Sequence, residues 1–132
     1  MNNKVIYTSS NDFNIIKEDL TRNNKIFWVE IDGRNISNLS EYFFSISNLC
    51  IFPIPARSWA GYNDWMTDFT WIREDAIVIV INNFGCFLRS DLSSKVKVVE
   101  KFQNSILPWW EEDVMDHVVD GKTKKFTVYL VD

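Results

Sequence analysis

The sequence predicts a single α/β domain built on a small parallel sheet. Three observations carry that expectation. Short β-branched and aromatic runs alternate with segments whose apolar residues recur every three or four positions, and strands separated by helices pair in parallel. Residues 76–81 (AIVIVI) form an unbroken apolar run, too short and too β-branched for a helix, as in a central strand buried on both faces. The length of 132 residues suits one domain, and with 46% hydrophobic residues the chain can bury a core without disulfides or metals.

Residues 4–8 (KVIYT) are β-prone. Ser9, Ser10, Asn11 and Asp12 then offer caps for a helix over about residues 11–22, with Phe13, Ile16 and Leu20 inward and Asn23-Asn24 ending it. Residues 26–31 (IFWVEI) read as a strand closed by an Asp32-Gly33 turn. Ser40 and Glu41 mark the start of a second helix, whose inward stripe is Leu39, Phe43, Ile46, Leu49 and Cys50. Pro53 and Pro55 forbid helix in the next stretch. A third helix is expected from about Ser58 to Phe69, burying Trp59, Tyr62, Met66 and Phe69. The central strand follows, then a loop at residues 82–85. A fourth helix covers about residues 92–107 with Val98, Val99, Phe102 and Ile106 inward. Pro108 is expected to kink or restart it, Gly121 to break the chain, and residues 126–131 (FTVYLV) to form the last strand. There is no internal repeat, low-complexity tract or dividing linker, so residues 1–132 read as one domain.

Eighteen acidic residues stand against fourteen basic ones, for a formal net charge of −4. That argues against non-specific nucleic-acid binding, which needs a basic footprint, and suits a basic protein partner. Six tryptophans exceed what a core of this size needs, so some are expected on a binding surface. Cys50 and Cys86 sit in no CxxC or zinc spacing and read as free thiols filling small core positions. The N-terminus lacks a charged-then-apolar signal, and no apolar run approaches the ~20 residues of a membrane span. A cytoplasmic chain with no membrane contact is expected.

Catalytic signatures are absent: the sequence has no GxSxG, GxGxxG or P-loop, and one histidine, His117. Residues 111–120 carry five acids and no Lys or Arg. This segment lacks the Asp/Asn and glycine pattern of a calcium loop. It reads as a solvated helix face, a metal site, or the acidic part of a binding surface. On the third helix, Arg57, Gly61, Asp64 and Asp68 are expected to stack on one outward face. Asp64 and Asp68 at i,i+4 would cost an isolated helix roughly 0.2–0.5 kcal/mol. Gly61 clears bulk from the same face. The face is either simply solvated or adapted to a partner.

At these residues the chain resembles the barstar family. Residues 31–40 (IDGRNISNLS) are similar to its opening strand, "[ND]G" turn and capped helix, and the register runs on without a gap through residues 49–53 (LCIFP). Ser58-Trp59 and residues 63–72 (NDWMTDFTWI) are similar to its inhibitory second helix; residues 75–81 and 126–131 match its buried and closing strands. The resemblance implies a three-stranded parallel sheet core over residues 26–132 with helices around it. Residues 1–25 would be a strand-helix extension like that of larger bacterial members.

The resemblance also implies a non-enzyme: a bacterial ribonuclease inhibitor, or immunity protein of a toxin–antitoxin pair, inserting its second helix and preceding loop into an RNase. The central inhibitory aspartate would be Asp64 and the threonine one turn later Thr67, with residues 54–58 as the loop. The chain departs from the family at residues 54–57 (IPAR), where a tyrosine-glycine loop is expected. It departs again at Ser58, at Ala60 and Asn63 for an acid and a tryptophan, and at Asn104 on the later helix. These departures point to a toxin different from the family's usual target. The expected partner-binding set is Arg57, Ser58, Gly61, Asp64, Trp65, Thr67 and Asp68, with Trp65 as the aromatic anchor. The expected partner is a basic nuclease toxin held in a 1:1 heterodimer by an otherwise monomeric chain, with no catalytic residue, metal or cofactor. Two alternatives stand: an immunity or adaptor protein for a non-nuclease partner, and a metal-dependent enzyme built on Asp64, Asp68 and the acids of residues 111–116.

Overall fold

The computed structural model describes residues 2–23 and 25–132. Asn24, expected to help end the first helix, lies outside them. In chain order the elements are β1 (Lys4–Thr8), α1 (Ser10–Leu20), β2 (Ile26–Asp32), α2 (Leu39–Leu49), α3 (Trp59–Met66), β3 (Ala76–Asn82), α4 (Leu92–Lys101), α5 (Val114–His117) and β4 (Lys125–Val131). Short 3-10 turns follow β2 and β3.

The apolar run of β3 lies inside one sheet of order β1-β4-β3-β2. β2 pairs with β3 in parallel from Ile26↔Ala76 to Asp32↔Asn82. β4 pairs with its other edge from Ala76↔Lys125 to Asn82↔Val131. With a neighbour on each side and helices over both faces, five successive residues of β3 are buried.

The two faces are unequal. One carries Val29, Ile31, Ile77, Ile79, Ile81, Phe126, Val128 and Leu130, packed under α2, α3, α4 and the turn after α4 through Ile46, Met66, Val98 and Phe102. The other carries Val78, Val80, Tyr129 and Val131, and α1 covers it with Phe13 and Ile16.

This arrangement corrects the expectation of a three-stranded core with an appended N-terminal piece. The sheet has four strands, and β1 pairs with β4 from Lys4↔Thr127 to Thr8↔Val131. Without α1, the second face of β3 and β4 would lie open to water, so the N-terminal segment is part of the core. Asn3 fastens it: its side chain donates to the carbonyls of Leu107 (3.2 Å) and Lys124 (3.0 Å) and accepts from Phe126 N (2.9 Å).

Helix starts follow side-chain caps. Ser9 Oγ accepts from Asp12 N at 3.1 Å, and Asp91 Oδ1 from Ser94 N at 3.2 Å. α2 is capped by Asn38, whose Oδ1 accepts from Glu41 N at 3.0 Å, and not by Ser40 as expected. Glu41 reaches back to Ser37 N at 3.0 Å, so the helix opens at Leu39 and Ser40 falls within the first turn. Leu49, expected inward, is exposed where α2 ends.

Pro108 does not end the fourth helix. The chain passes from α4 through two widened π turns, Phe102–Ile106 and Trp109–Asp113, into α5. Proline cannot donate to the carbonyl four residues back, and the widened turns on either side absorb that loss. The two cysteines differ. Cys50 is buried, which pushes its thiol up to about 12. Cys86, expected in the core, is exposed because it lies on the 3-10 turn that leaves β3. No helix among the described residues is long and apolar enough to cross a membrane.

Candidate partner-binding surface

α3 begins where Ser58 leaves extended backbone and its Oγ accepts from Gly61 N at 3.1 Å. Tyr62 and Met66 fasten it to the core, and the Tyr62 hydroxyl meets that of Tyr42 on α2 at 2.7 Å. The helix is shorter than the sequence suggests. Thr67 leaves helical geometry, its Oγ1 donating to Asn63 O at 2.7 Å, and Phe69 turns the chain with φ of 49°.

Asp68 therefore stands beyond α3, where its Oδ1 accepts from Thr70 N at 3.2 Å. Arg57 precedes the N-cap. The expected four-residue stack on one helix face is thereby corrected: of Arg57, Gly61, Asp64 and Asp68, only Gly61 and Asp64 lie on α3. The helix also escapes the like-charge i,i+4 penalty.

Asp64 is exposed, and among the described residues its carboxylate takes part in no ion pair. A Cβ at Gly61 would meet only Ser58 Oγ, at 3.5 Å. Packing therefore does not require glycine there, and its absence of bulk leaves a clearing beside Asp64. Trp65 is half-buried, edge-on to Trp71 at 5.7 Å; Trp71 is held by its indole N–H donating to Cys50 O at 2.8 Å. One side of Trp65 thus serves the core and the other remains open.

The loop before α3 is anchored through one buried residue. Phe52 N donates to Ser47 O and Ala56 N to Ser47 Oγ, both at 2.9 Å. Around these pins the chain turns apolar groups outward. Ile51 is 61% and Ile54 65% exposed, and Pro53, Pro55 and Arg57 are exposed beside them. Ile51 has φ of 58°, a left-handed conformation that β-branched residues rarely adopt. It stands where a helix C-terminus usually places glycine. The sequence places Ile54 in the inserting loop of residues 54–58 but gives Ile51 no surface role. The available signal was the missing glycine after α2.

Below α3 lies a cleft of about 460 Å³. Thr67 and Asp68 line one wall, Val114, Val118 and Asp120 the other, and Phe69, Ile72 and Trp110 the floor. The Trp110 indole N–H donates to Met66 O at 2.8 Å, tying the floor to the last turn of α3. The structure thus brings Thr67 and Asp68 together with the end of the acidic segment, while Asp64 faces solvent apart from the cleft. Asn104 is exposed on a π turn and lines a separate hollow.

The carboxyl end of the sheet, where ligands of open α/β folds commonly bind, carries a hollow of about 290 Å³. Its central group is already engaged. Asp32 accepts from Arg34 Nη2 at 2.8 Å and from Asn83 Nδ2 at 3.0 Å, and these bonds hold its carboxyl well below the usual range. Here Gly33 is required, because a Cβ would fall 2.6 Å from Asn83 O.

His117 is exposed, its Nδ1 2.9 Å from Asp113 O and its ring beside Trp109. Among the described residues no group of three His, Cys, Asp or Glu side chains gathers to hold a metal, so Asp64, Asp68 and the 111–116 acids do not converge. In comparisons with known proteins the chain matches no family model, no curated protein and no solved structure.

Proposed function

We propose that this chain is a barstar-like immunity protein. It binds a basic bacterial nuclease toxin, an RNase in the first instance, 1:1 in the cytoplasm and blocks the toxin's active site with α3 and the loop before it. The observation that supports this reading most is the exposed carboxylate of Asp64, unpaired among the described residues, on a helix anchored by Tyr62 and Met66. A nuclease active site presents cationic groups where phosphate binds. Asp64 occupies such a subsite and accepts charge-assisted hydrogen bonds from Arg, Lys or His. Ile54 and Trp65 supply apolar contact around it, and the excess negative charge of the chain speeds encounter.

Loss of the Asp64 carboxylate leaves the toxin's cationic groups buried without a partner. Asp64→Ala is therefore expected to weaken binding by about 2–5 kcal/mol, or at least ~30-fold in Kd. Stability should hardly change, since Asp64 is exposed. The test is to capture the product of the neighbouring gene with tagged chain and assay RNase activity with and without the chain. Inhibition that Asp64→Ala relieves supports the reading, whereas full inhibition by Asp64→Ala refutes the role of Asp64.

A second reading keeps the surface and changes the partner to one without nuclease activity. It is favoured by Ala60 and Asn63, which stand where the resemblance expects an acid and a tryptophan; Asn63 Oδ1 is buried without a hydrogen-bond partner among the described residues. Capture of a protein inactive on RNA and DNA would select it.

A further inference from the structure

The cleft below α3 ends in an apolar surface that the fold leaves uncovered. Val119 is 91% and Val118 47% exposed at the rim, where packing gives no reason for β-branched residues. The backbone holds them outward. Val118 leaves α5 in extended conformation, and Asp120 turns the chain with φ of 58°. A Cβ at Gly121 would lie 2.4 Å from Val114 O, so the turn packs tightly on α5.

Charge around this surface has one sign in excess. Asp68 and Asp120 line the cleft, and Glu112, Asp113 and Asp116 are exposed on the helical turns leading to it. None of these five takes part in an ion pair among the described residues. Two lysines, Lys122 and Lys124, also line the cleft, Lys124 Nζ donating to Glu74 O at 2.6 Å, and the five acids outnumber them.

We propose that the cleft between Thr67 and Lys122 is a second docking site, occupied by a cationic amphipathic segment of the toxin. This rests on the inhibitor reading above and extends it beyond α3. The segment's apolar side chains cover Val118 and Val119, while its Lys or Arg residues meet Asp68 and Asp120. Opposite charge at the rim selects the basic partner, and apolar burial in the cleft slows its release.

The test uses the isotope-labelled full chain and a synthetic amphipathic helix of Leu and Lys, followed by NMR. Saturable shifts should centre on Asp68 and Val118 to Lys122. A Leu/Glu counterpart should not bind. Val119→Lys, a fully solvated change, should weaken the Leu/Lys peptide about tenfold by removing apolar contact and adding repulsion. Asp64→Ala should leave peptide binding unchanged, so this result stands or falls independently of nuclease inhibition. The proposal would be overturned by equal binding of the Leu/Glu peptide, by shifts centred elsewhere, or by unchanged affinity in Val119→Lys. Concentration-dependent broadening of the same signals without peptide would also overturn it, assigning the cleft to a second copy of the chain.

Discussion

Removing the Tyr62 hydroxyl would show how far one buried hydrogen bond holds α3 against α2. The Tyr42 and Tyr62 oxygens are 2.7 Å apart, both side chains are fully buried, and the ring centroids lie 5.6 Å apart. Burial pushes both phenols well above the ordinary tyrosine value, so both stay neutral under working conditions. Tyr62→Phe keeps the ring packing but leaves the Tyr42 hydroxyl buried with no partner, which costs about 1–3 kcal/mol. Tyr42→Phe strands the Tyr62 hydroxyl at a similar cost. In the double variant neither hydroxyl remains, and the loss should be about 1 kcal/mol or less. The two single losses therefore do not add, and the interaction energy should be about 1–5 kcal/mol in magnitude. Urea unfolding followed by far-UV circular dichroism measures all four proteins, and equal m-values would show that the unfolded states are comparable. Single losses that add to within about 0.5 kcal/mol would refute the reasoning, as would a neutral Tyr62→Phe.

Three further outcomes are expected. Ile51→Gly relieves a left-handed β-branched residue worth about 1–2 kcal/mol, partly offset by about 0.5–1 kcal/mol of added chain entropy. The urea midpoint should rise slightly while partner binding weakens. Native chain should react with Ellman's reagent at Cys86 only, and chain in urea at both cysteines, because Cys50 is buried. Arg34 and Asn83 hold the Asp32 carboxyl below its ordinary value, so its contribution is complete above the usual aspartate range and is lost as pH falls through the lowered value. The stability gap between the chain and Asp32→Asn, measured by urea titration from neutral pH downward, should close as the medium becomes acidic.

Local chemistry made much of this molecule readable from its residues alone. An all-apolar run of β-branched residues at 76–81 can be satisfied only by neighbours on both sides and cover on both faces, and that is where β3 lies. Ser58 marks the start of α3 because a hydroxyl before an apolar-periodic stretch satisfies free helix amides. Tyr62, Met66 and Phe69 are buried as their spacing requires.

Contacts distant in sequence decided the rest. Residues 4–8 carry a β-strand signal but no sign of which strand they join; the unfilled edge of β4 and the bare second face of the sheet drew them in. Asp64 and Asp68 look like one helical pair at four-residue spacing. They part because Thr67 turns its hydroxyl onto Asn63 O and Phe69 enters the core with a left-handed backbone. Cys86 and Cys50 are the same residue type in similarly apolar surroundings, yet one thiol is exposed and the other buried. The cleft that joins Asp68 to Asp120 brings together residues fifty-two positions apart, as the Trp110–Met66 hydrogen bond joins its floor to α3. Periodicity and capping act over a few residues and can be read along the chain. Sheet order, burial of a particular thiol and the walls of a cleft depend on which apolar surfaces meet, and only the folded chain brings those together.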